Sequence, residues 1–580
     1  MRDEKLSVFP EDVEERLGKG ERRQRRDVGG IEKRRPEQAF SRRGGWILSR
    51  RRPRRLNSGL VKPAAFAALL LAGVLAVGCG GESGPAGELD DTLGYFPEDA
   101  GVVVVVNTDL GGNQLDRFDR KIVRPESGGE SMEDLLREVA EDIQLSWDQD
   151  VKPLLGNPLV VGTQSTVELT GISAAIQVRD EGKLHDLAEK IPGATPEGEA
   201  HGAELYEAEA GIAFAIEGDF LIIAQDQDTL LRALEQRDSD DGLSEAELEE
   251  SLPGAPEDPL VRARATVTSL EDFFGLSEDV PEAERLFTLP WFAALRTVGV
   301  TASFADDEHL VVDASLNTDA GELNEDDLPL ATGEESPEVV SREGEIVSAN
   351  RDQSRTTVFL LRAAQAAFPN SRFVQAVEEL EQDLGVDFED EILRQFDGPS
   401  ASALTFDGQS FAARSEVRDP DRLREQLRVL APRLPELVQG LEGLRSQGLA
   451  LLLLLAPDAI ASTQPLDDVQ VELPQGPDDL YHVSGLTGDG PSNVYFGLVG
   501  DVFVIASDEG RARAIADAPT EGLEDAHGAA VARLDLREGA RELLERFGLG
   551  LGAEVEIGEV VGSLEASTER LHATLRVELP

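Results

Sequence analysis

"VGVTASFADDEHLVVDASL", residues 298–316, is the stretch that decides the fold. Apolar side chains occupy every second position on both sides of the acidic turn "ADDE". These positions are Val298, Val300, Ala302 and Phe304 before the turn, and Leu310, Val312, Ala314 and Leu316 after it. A period of two residues is typical of strands, so the stretch predicts a β-hairpin. One apolar and one polar face favour an antiparallel sheet.

The rest of the chain alternates similar strands with helix-like segments. Residues 261–268, "VRARATVT", place Val and Ala on one face and Arg and Thr on the other. The chain ends on a strand with one apolar face, formed by Leu571, Ala573, Leu575, Val577 and Leu579. Residues 131–143, "SMEDLLREVAEDI", and 419–430, "DPDRLREQLRVL", have helical periodicity. We therefore predict an α+β fold, in which a twisted antiparallel sheet has helices packed on one face.

The sequence contains an internal repeat. Asp142 to Pro158 aligns without gaps on Asp383 to Pro399, at a constant offset of 241 residues. Further segments match in the same order, such as "GDFLIIAQDQDTLLRAL" from Gly218 and "GDVFVIASDEGRARAI" from Gly500. This order predicts two tandem copies of one domain, residues 94–320 and 345–580, joined by an acidic linker over 321–344.

The second copy has a leucine-rich insertion at about residues 431–470. Its most apolar positions are Leu449, Leu451, Leu452, Leu453, Leu454 and Leu455. The run is too short to span a membrane. Two interpretations stay open: an additional core helix that covers a sheet face, or a surface that contacts an apolar ligand or the bilayer.

Residues 60–83, "LVKPAAFAALLLAGVLAVGCGGES", have the layout of a secretory signal peptide, with a cation, an apolar run and small residues. The run ends on the only cysteine of the chain, Cys79. The preceding residues Leu75, Ala76, Val77 and Gly78 resemble a bacterial lipobox, although the commonest pattern has Leu where Ala76 stands. We predict a lipoprotein signal peptide over 60–78, a diacylglyceryl group on Cys79 and a flexible tether over 79–93. An ordinary signal peptide, or a buried helix with a free thiol, is the alternative.

Charge separates the first 60 residues from the rest. They carry 18 Lys or Arg and 10 Asp or Glu with little apolar content, so residues 1–59 are predicted to be a disordered basic extension. Either they form a long cytosolic region before the signal peptide, or translation starts near Leu60. The remaining residues hold 37 basic and 103 acidic side chains, which excludes nucleic acid as a partner. The preference for Arg over Lys indicates a GC-rich, actinobacterial type of genome.

Catalytic and metal-binding motifs are not found in the sequence. It lacks G-x-S-x-G, H-E-x-x-H, P-loop and C-x-x-C patterns. The six histidines, at 185, 201, 309, 482, 527 and 572, form no metal-spaced pair. "DSDDGLSEAELEE" from Asp238 is similar to a calcium loop, but Arg237 and Ser239 stand where its first carboxylates belong. We predict instead that Ser244 and Glu247 form a capping box, and we predict neither a metal nor a cofactor.

Three segments carry a family resemblance: "LGYFPEDAGVVVVVNTD" from Leu93, "GDFLIIAQDQDTLLRAL" from Gly218, and "LSEAELEESLPGAPEDPLVRARATVTSLEDF" from Leu243. Together they resemble the bacterial domain of unknown function 3352. The resemblance implies an exported or membrane-tethered protein and supplies no catalytic residues.

These observations predict an exported protein, anchored by lipid to the outer face of the cell membrane. Its expected role is that of a non-catalytic binding module, with an envelope protein or an apolar ligand as partner. The alternative is a carrier or sensor of lipids that uses the domain interior and the leucine-rich insertion. An enzyme is the third candidate, and it would need histidines and carboxylates converging in a cleft.

The lipid anchor can be tested by replacing its attachment site. Cys79→Ser removes the thiol that would carry the diacylglyceryl group, so the variant should leave the membrane fraction when membranes are washed with carbonate. Immunoblotting of the pellet and the supernatant measures this shift. A variant that stays in the pellet as completely as the wild type would contradict the prediction.

Overall fold

A computed structural model describes residues 88–163, 171–208, 211–239, 241–256, 258–267, 285–341, 345–406, 410–435, 470–474, 479–485, 493–536 and 555–580. The strands of the first half are β1 Val102–Val106, β2 Leu159–Thr163, β3 Ser173–Gln177, β4 Thr195–Ala200, β5 Ala203–Glu207, β6 Ala213–Glu217, β7 Phe220–Ala224, β8 Val261–Thr266, β9 Leu295–Phe304 and β10 His309–Thr318. The later strands are β11 Val339–Val340, β12 Ile346–Asn350, β13 Ser400–Leu404, β14 Phe411–Glu416, β15 Gln470–Glu472, β16 Asp479–Ser484, β17 Asn493–Val499, β18 Val502–Ala506, β19 Thr520–Glu521, β20 Ala530–Asp535, β21 Glu559–Ala566 and β22 Arg570–Glu578.

Helices connect these strands. The α-helices are α1 Glu88–Leu93, α2 Asn113–Phe118, α3 Arg124–Ser127, α4 Met132–Asp142, α5 Glu181–Ala188, α6 Gln227–Asp238, α7 Glu245–Glu250, α8 Pro290–Ala294, α9 Gln353–Ala367, α10 Arg372–Leu384, α11 Pro420–Leu430 and α12 Glu509–Ala516. Short π-helical turns occur at Asp119–Val123, Trp147–Val151 and Phe388–Ile392. Short 3-10 turns occur at Lys152–Leu154, Leu286–Thr288, Ala320–Glu322, Glu325–Asp327, Leu393–Phe396 and Ala431–Arg433.

Twenty of the described strands form one antiparallel sheet, and β11 and β19 pair separately. From one edge to the centre the order is β4, β5, β6, β7, β3, β2, β1, β8, β9, β10. From the other edge to the centre it is β15, β16, β17, β18, β14, β13, β12, β20, β21, β22. The α+β class with an antiparallel sheet is therefore confirmed.

The ten strands of each half follow the same pairing scheme. The offset of 241 residues found in the sequence also relates the π-helical turn at Trp147–Val151 to that at Phe388–Ile392, and β2 to β13. The N-cap residues Asp226 of α6 and Asp508 of α12 occupy matching places after β7 and β18. The origin of the halves as two copies of one domain stays a prediction that these correspondences support.

Helices cover both faces of the sheet, which differs from the prediction of one covered face. In β7, Ile222 packs in a cluster with Leu230 of α6, whereas Ile223 packs on the opposite face with Leu184 of α5. Strands β1, β3 and β6 are likewise buried on both faces. The prediction fails here because these strands are apolar at consecutive positions, whereas the hairpin that suggested it has a polar face.

The described part of the tether is folded. Residues 79–93 were predicted to be flexible, but α1 occupies Glu88–Leu93, and Leu89 and Leu93 lie in the core of the first half. The composition of the segment is acidic and glycine-rich, and its two leucines four residues apart still give it an apolar helical face. The tether prediction is therefore corrected for its last six residues.

The acidic linker over 321–344 also packs against the domain cores. Five of its apolar side chains are buried, namely Leu323, Leu328, Leu330, Val339 and Val340. The guanidinium of Arg351 donates hydrogen bonds to the backbone carbonyls of Thr332, Gly333 and Gly528. These contacts fix the connection between the halves.

The two halves meet where β10 pairs with β22, over nine residue pairs from His309 with Glu578 to Asn317 with Arg570. A polar network crosses this seam: His572 Nδ1 lies 2.9 Å from Ser315 Oγ, and the Thr574 hydroxyl donates to Asp313 at 2.7 Å. His572 Nε2 is 3.4 Å from the same carboxylate. Burial raises the pKa of Asp313, but hydrogen bonds from His572 and Thr574 outweigh it, so the net shift is downward.

β4 and β15 lie at the two ends of the sheet order, and their outer edges pair with no other strand that the structure describes. β4 reads "TPEGEA", contains a bulge after Pro196 and is almost fully exposed. β15 has only three residues, Gln470–Glu472.

Asp313→Asn should reveal a pH-dependent contribution of the seam to stability. Because the folded-state pKa is lowered, the stabilisation by the carboxylate is complete above its unfolded pKa of about 3.9 and is lost as pH falls through the folded value. The midpoints of urea unfolding of wild type and variant should therefore converge between about pH 5 and pH 2. A constant difference over this range would show that the carboxylate does not act as described.

Gly299→Ala should destabilise the sheet, because a Cβ atom at this position of β9 would lie 1.9 Å from the backbone oxygen of Ser251. Overpacking of this kind costs about 1–3 kcal/mol in the free energy of unfolding. Gly562→Ala in β21 is the matched control, since its nearest neighbour, Leu575 Cδ1, would be 3.7 Å away. Urea unfolding should show a lower midpoint for the first variant only; equal midpoints would refute the close approach.

Candidate functional site

The candidate site is a cavity of about 460 Å³ in the first half of the chain. It lies between the segment that follows α1, the adjoining ends of β2 and β3, and α6 with the turn after it. Its described lining consists of Tyr95, Phe96, Pro97, Asp99, Ala100, Gly162, Thr163, Gly171, Ser173, Thr229, Arg232, Ala233, Glu235, Gln236, Ser239 and Asp241. This volume is in the range that accommodates small-molecule ligands.

Helix α6 provides one wall. It begins after Asp226, whose carboxylate accepts a hydrogen bond from the Thr229 amide at 2.8 Å, and this bond holds the pKa of Asp226 below its ordinary value. Leu230 and Leu234 are buried against the sheet. Lining positions on the helix recur three and four residues apart, at Thr229, Arg232, Ala233 and Gln236. This spacing places them on one stripe of the helix surface, so the stripe faces the cavity.

Two aromatic residues form the wall opposite the helix. The Tyr95 hydroxyl donates a hydrogen bond to the Glu217 carboxylate at 2.7 Å, and burial together with this carboxylate raises the pKa of Tyr95. The guanidinium of Arg237 lies 5.9 Å from the Tyr95 ring centre and pairs with Asp91 at 2.6 Å. Gly162 allows the Phe96 ring to lie against β2, because a Cβ there would be 2.4 Å from that ring. Both aromatic side chains are thus held in place.

Ser173 lies at the inner end of the cavity, at the start of β3. The residue is only 7% exposed, and it lines the cavity. In the part of the chain that the structure describes, its hydroxyl has no hydrogen-bond partner. The residue is buried but lines the cavity, so its hydroxyl is available there as a donor and acceptor for a ligand.

Four charged side chains line the outer part of the cavity. Asp99, Glu235 and Asp241 are exposed carboxylates, and none of the three has an ion-pair partner among the described residues. Arg232 donates a hydrogen bond to the Thr229 hydroxyl at 3.1 Å, and its charge helps to lower the pKa of Asp226, but within the same ranges it makes no direct ion pair. The cavity therefore offers both negative charge and one guanidinium.

The second half does not reproduce this lining. In α12, Arg511 stands at the position that corresponds to Thr229, counted from the equivalent N-caps. Its guanidinium binds both oxygens of Glu345, at 3.0 and 2.8 Å. The guanidinium of Arg511 is thus paired within the protein, whereas Asp99, Glu235 and Asp241 of the first-half cavity have no ion-pair partner among the described residues.

The described lining has chemistry suited to binding. Its hydroxyl groups belong to Ser173, Thr163, Thr229, Ser239 and Tyr95, and its lining residues include no histidine, lysine or cysteine. General-base activation of a hydroxyl nucleophile requires a base within hydrogen-bond reach. The lining therefore provides hydrogen-bond donors, acceptors and charges, and among its hydroxyl groups that of Tyr95 has a carboxylate, Glu217, at 2.7 Å.

No histidine belongs to the described lining of this cavity. His201 contacts Asp238 at 2.7 Å, His309 contacts Asp306 at 2.8 Å, and His482 contacts Glu472 at 3.2 Å. The serine, histidine and aspartate at the seam come closest to a catalytic arrangement, but Ser315 is only 3% exposed. Within the described ranges, no group of three or more His, Cys, Asp or Glu side chains is placed to hold a metal ion.

None of the residues that the sequence predicted to be functional belongs to the described lining of this cavity. Cys79, the four lipobox residues before it and the leucines at 449 and 451–455 lie outside the described residues. Ser244 and Glu247 form the predicted capping box at the start of α7. Among the described residues, the structure has no helix that is both long and apolar enough to cross a bilayer. Sequence reasoning missed the cavity, whose lining comes from three separated segments with no shared motif.

The comparisons with known proteins identify no family for this chain. No protein-family profile matches the chain, and no curated protein matches it. Crystal forms III and IV of a protein named TP0453 align with 40% of this chain and with 82% and 83% of their own. Their sequence identities are 12% and 13%, and their TM-scores are 0.23 and 0.24. Scores this low carry no argument about fold or function.

Proposed function

We propose that this chain is a lipid-anchored protein of the cell envelope that binds a small polar ligand in the first-half cavity without transforming it. The observation that carries the binding role is the unpaired Ser173 hydroxyl inside a cavity of about 460 Å³. The proposed localisation in the cell envelope rests on the lipobox before Cys79 and on the family resemblance of the segments that follow it.

Polar character distinguishes this cavity from that of a lipid carrier. A carrier of acyl chains needs a continuous apolar interior of several hundred Å³. Here the lining includes three carboxylates, one guanidinium and several hydroxyl groups. Placing an acyl chain against these groups would remove their water without replacing its hydrogen bonds, which costs free energy. A carrier role through the leucine-rich insertion is the second proposal, and it rests on the sequence alone.

A variant that blocks the cavity tests the binding role. Gln236→Trp places an indole on the stripe of α6 that lines the cavity, and Gln227→Trp adds the same side chain to an exposed position of α6 outside it. The full chain, purified in detergent, is incubated with a small-molecule filtrate of bacterial extract and examined by native mass spectrometry. Wild type and Gln227→Trp should retain a bound mass that Gln236→Trp loses.

Two readouts decide the outcome. The released ligand should have the same mass as before binding, because the proposal includes no reaction. If all three proteins retain the same bound mass, or if none of them retains any, the proposal that a ligand binds in this cavity is wrong. A ligand released with altered mass would make the protein an enzyme.

A further inference from the structure

We infer that the ligand of the first-half cavity is a small zwitterion, an amino acid or short peptide that carries both ammonium and carboxylate groups. The inference rests on the proposed function and specifies its ligand. It follows from which charges face the cavity and which of them are already satisfied by the protein.

The negative charges select for ammonium groups. Asp99, Glu235 and Asp241 line the cavity without ion-pair partners among the described residues. A ligand with only anionic groups would meet these three carboxylates and the strongly acidic chain, whose net charge is −58. Phosphates and simple carboxylic acids are therefore disfavoured.

The single guanidinium selects for a carboxylate on the same ligand. Arg232 lies one helical turn before Glu235 and Gln236 on α6, so positive and negative groups share one wall. Its one side-chain hydrogen bond goes to the Thr229 hydroxyl, which leaves further N–H donors for a ligand. A guanidinium binds a carboxylate through charge-assisted hydrogen bonds and repels a purely cationic ligand.

Ser173 provides the independent observation that a ligand belongs here. The residue is more than nine-tenths buried, it lines the cavity, and its hydroxyl lacks a partner in the described ranges. A ligand ammonium or carboxylate that reached the inner end would satisfy it. Three carboxylates against one guanidinium favour a ligand with more ammonium than carboxylate groups, such as a diamino acid.

Isothermal titration calorimetry of the full chain with three probes tests this inference. L-lysine carries two ammonium groups and one carboxylate, cadaverine lacks the carboxylate, and L-norleucine lacks the side-chain ammonium. L-lysine should bind at least about tenfold more tightly than either, because each missing charge removes a charge-assisted interaction.

Single substitutions test which charged side chain of the cavity interacts with which charged group of the ligand. Arg232→Gln should weaken L-lysine binding roughly tenfold and leave cadaverine unaffected, and Glu235→Gln should weaken both. Arg513→Gln on α12 and Asp228→Asn on α6 remove exposed charges outside the cavity and serve as matched controls. Circular dichroism confirms that each variant is folded.

The outcomes separate this inference from the proposed function. If cadaverine binds as tightly as L-lysine and Arg232→Gln does not weaken L-lysine binding, the inference of a zwitterionic ligand is wrong. The cavity would then be a binding site for cations. Failure of all three probes, combined with a bound mass that Gln236→Trp abolishes, would overturn the inference and leave the binding role. Failure of the probes without such a mass would overturn both.

Discussion

The pairing of β10 with β22 is the contact on which the architecture depends. Nine residue pairs join the last strand of each half, so two ten-stranded sheets become one. Without it, two of the longest described strands would each expose a row of unpaired backbone groups in the middle of the sheet. The polar network of Ser315, His572, Asp313 and Thr574 lies on the same seam. Backbone and side-chain hydrogen bonds thus act together where the halves meet.

The cavity shows how similar halves acquire different chemistry. Both halves place a capped helix after corresponding strands, β7 and β18. In the second half, Arg511 and Glu345 satisfy each other, while the first half leaves Arg232 and three carboxylates for solvent or a ligand. Corresponding places on the two halves therefore carry different charged side chains on a similar scaffold.

The sequence predicted local structure well, because local structure depends on neighbouring residues. The alternation over 298–316 identified the hairpin, and Ser244 with Glu247 identified a helix start. The seam was not predicted, because a period of two residues indicates which face is apolar and not which strand lies alongside. The burial of the polar face of "VRARATVT" was not predicted either: Arg264 is only 8% exposed and donates to the Glu98 carbonyl. The cavity also escaped prediction, since 95–100, 162–173 and 229–241 meet only in the folded chain.

Within the part of the chain that the structure describes, the sheet ends at β4 and at β15, the places where strands of another molecule could add. The exposed edge strand β4 carries Pro196, which cannot donate a backbone hydrogen bond, together with a bulge and two glutamates. β15, at the other end, is only three residues long. Both ends are therefore poor templates for further strands. Wherever copies of the chain meet at high concentration, such edges favour separate molecules over fibrous assemblies.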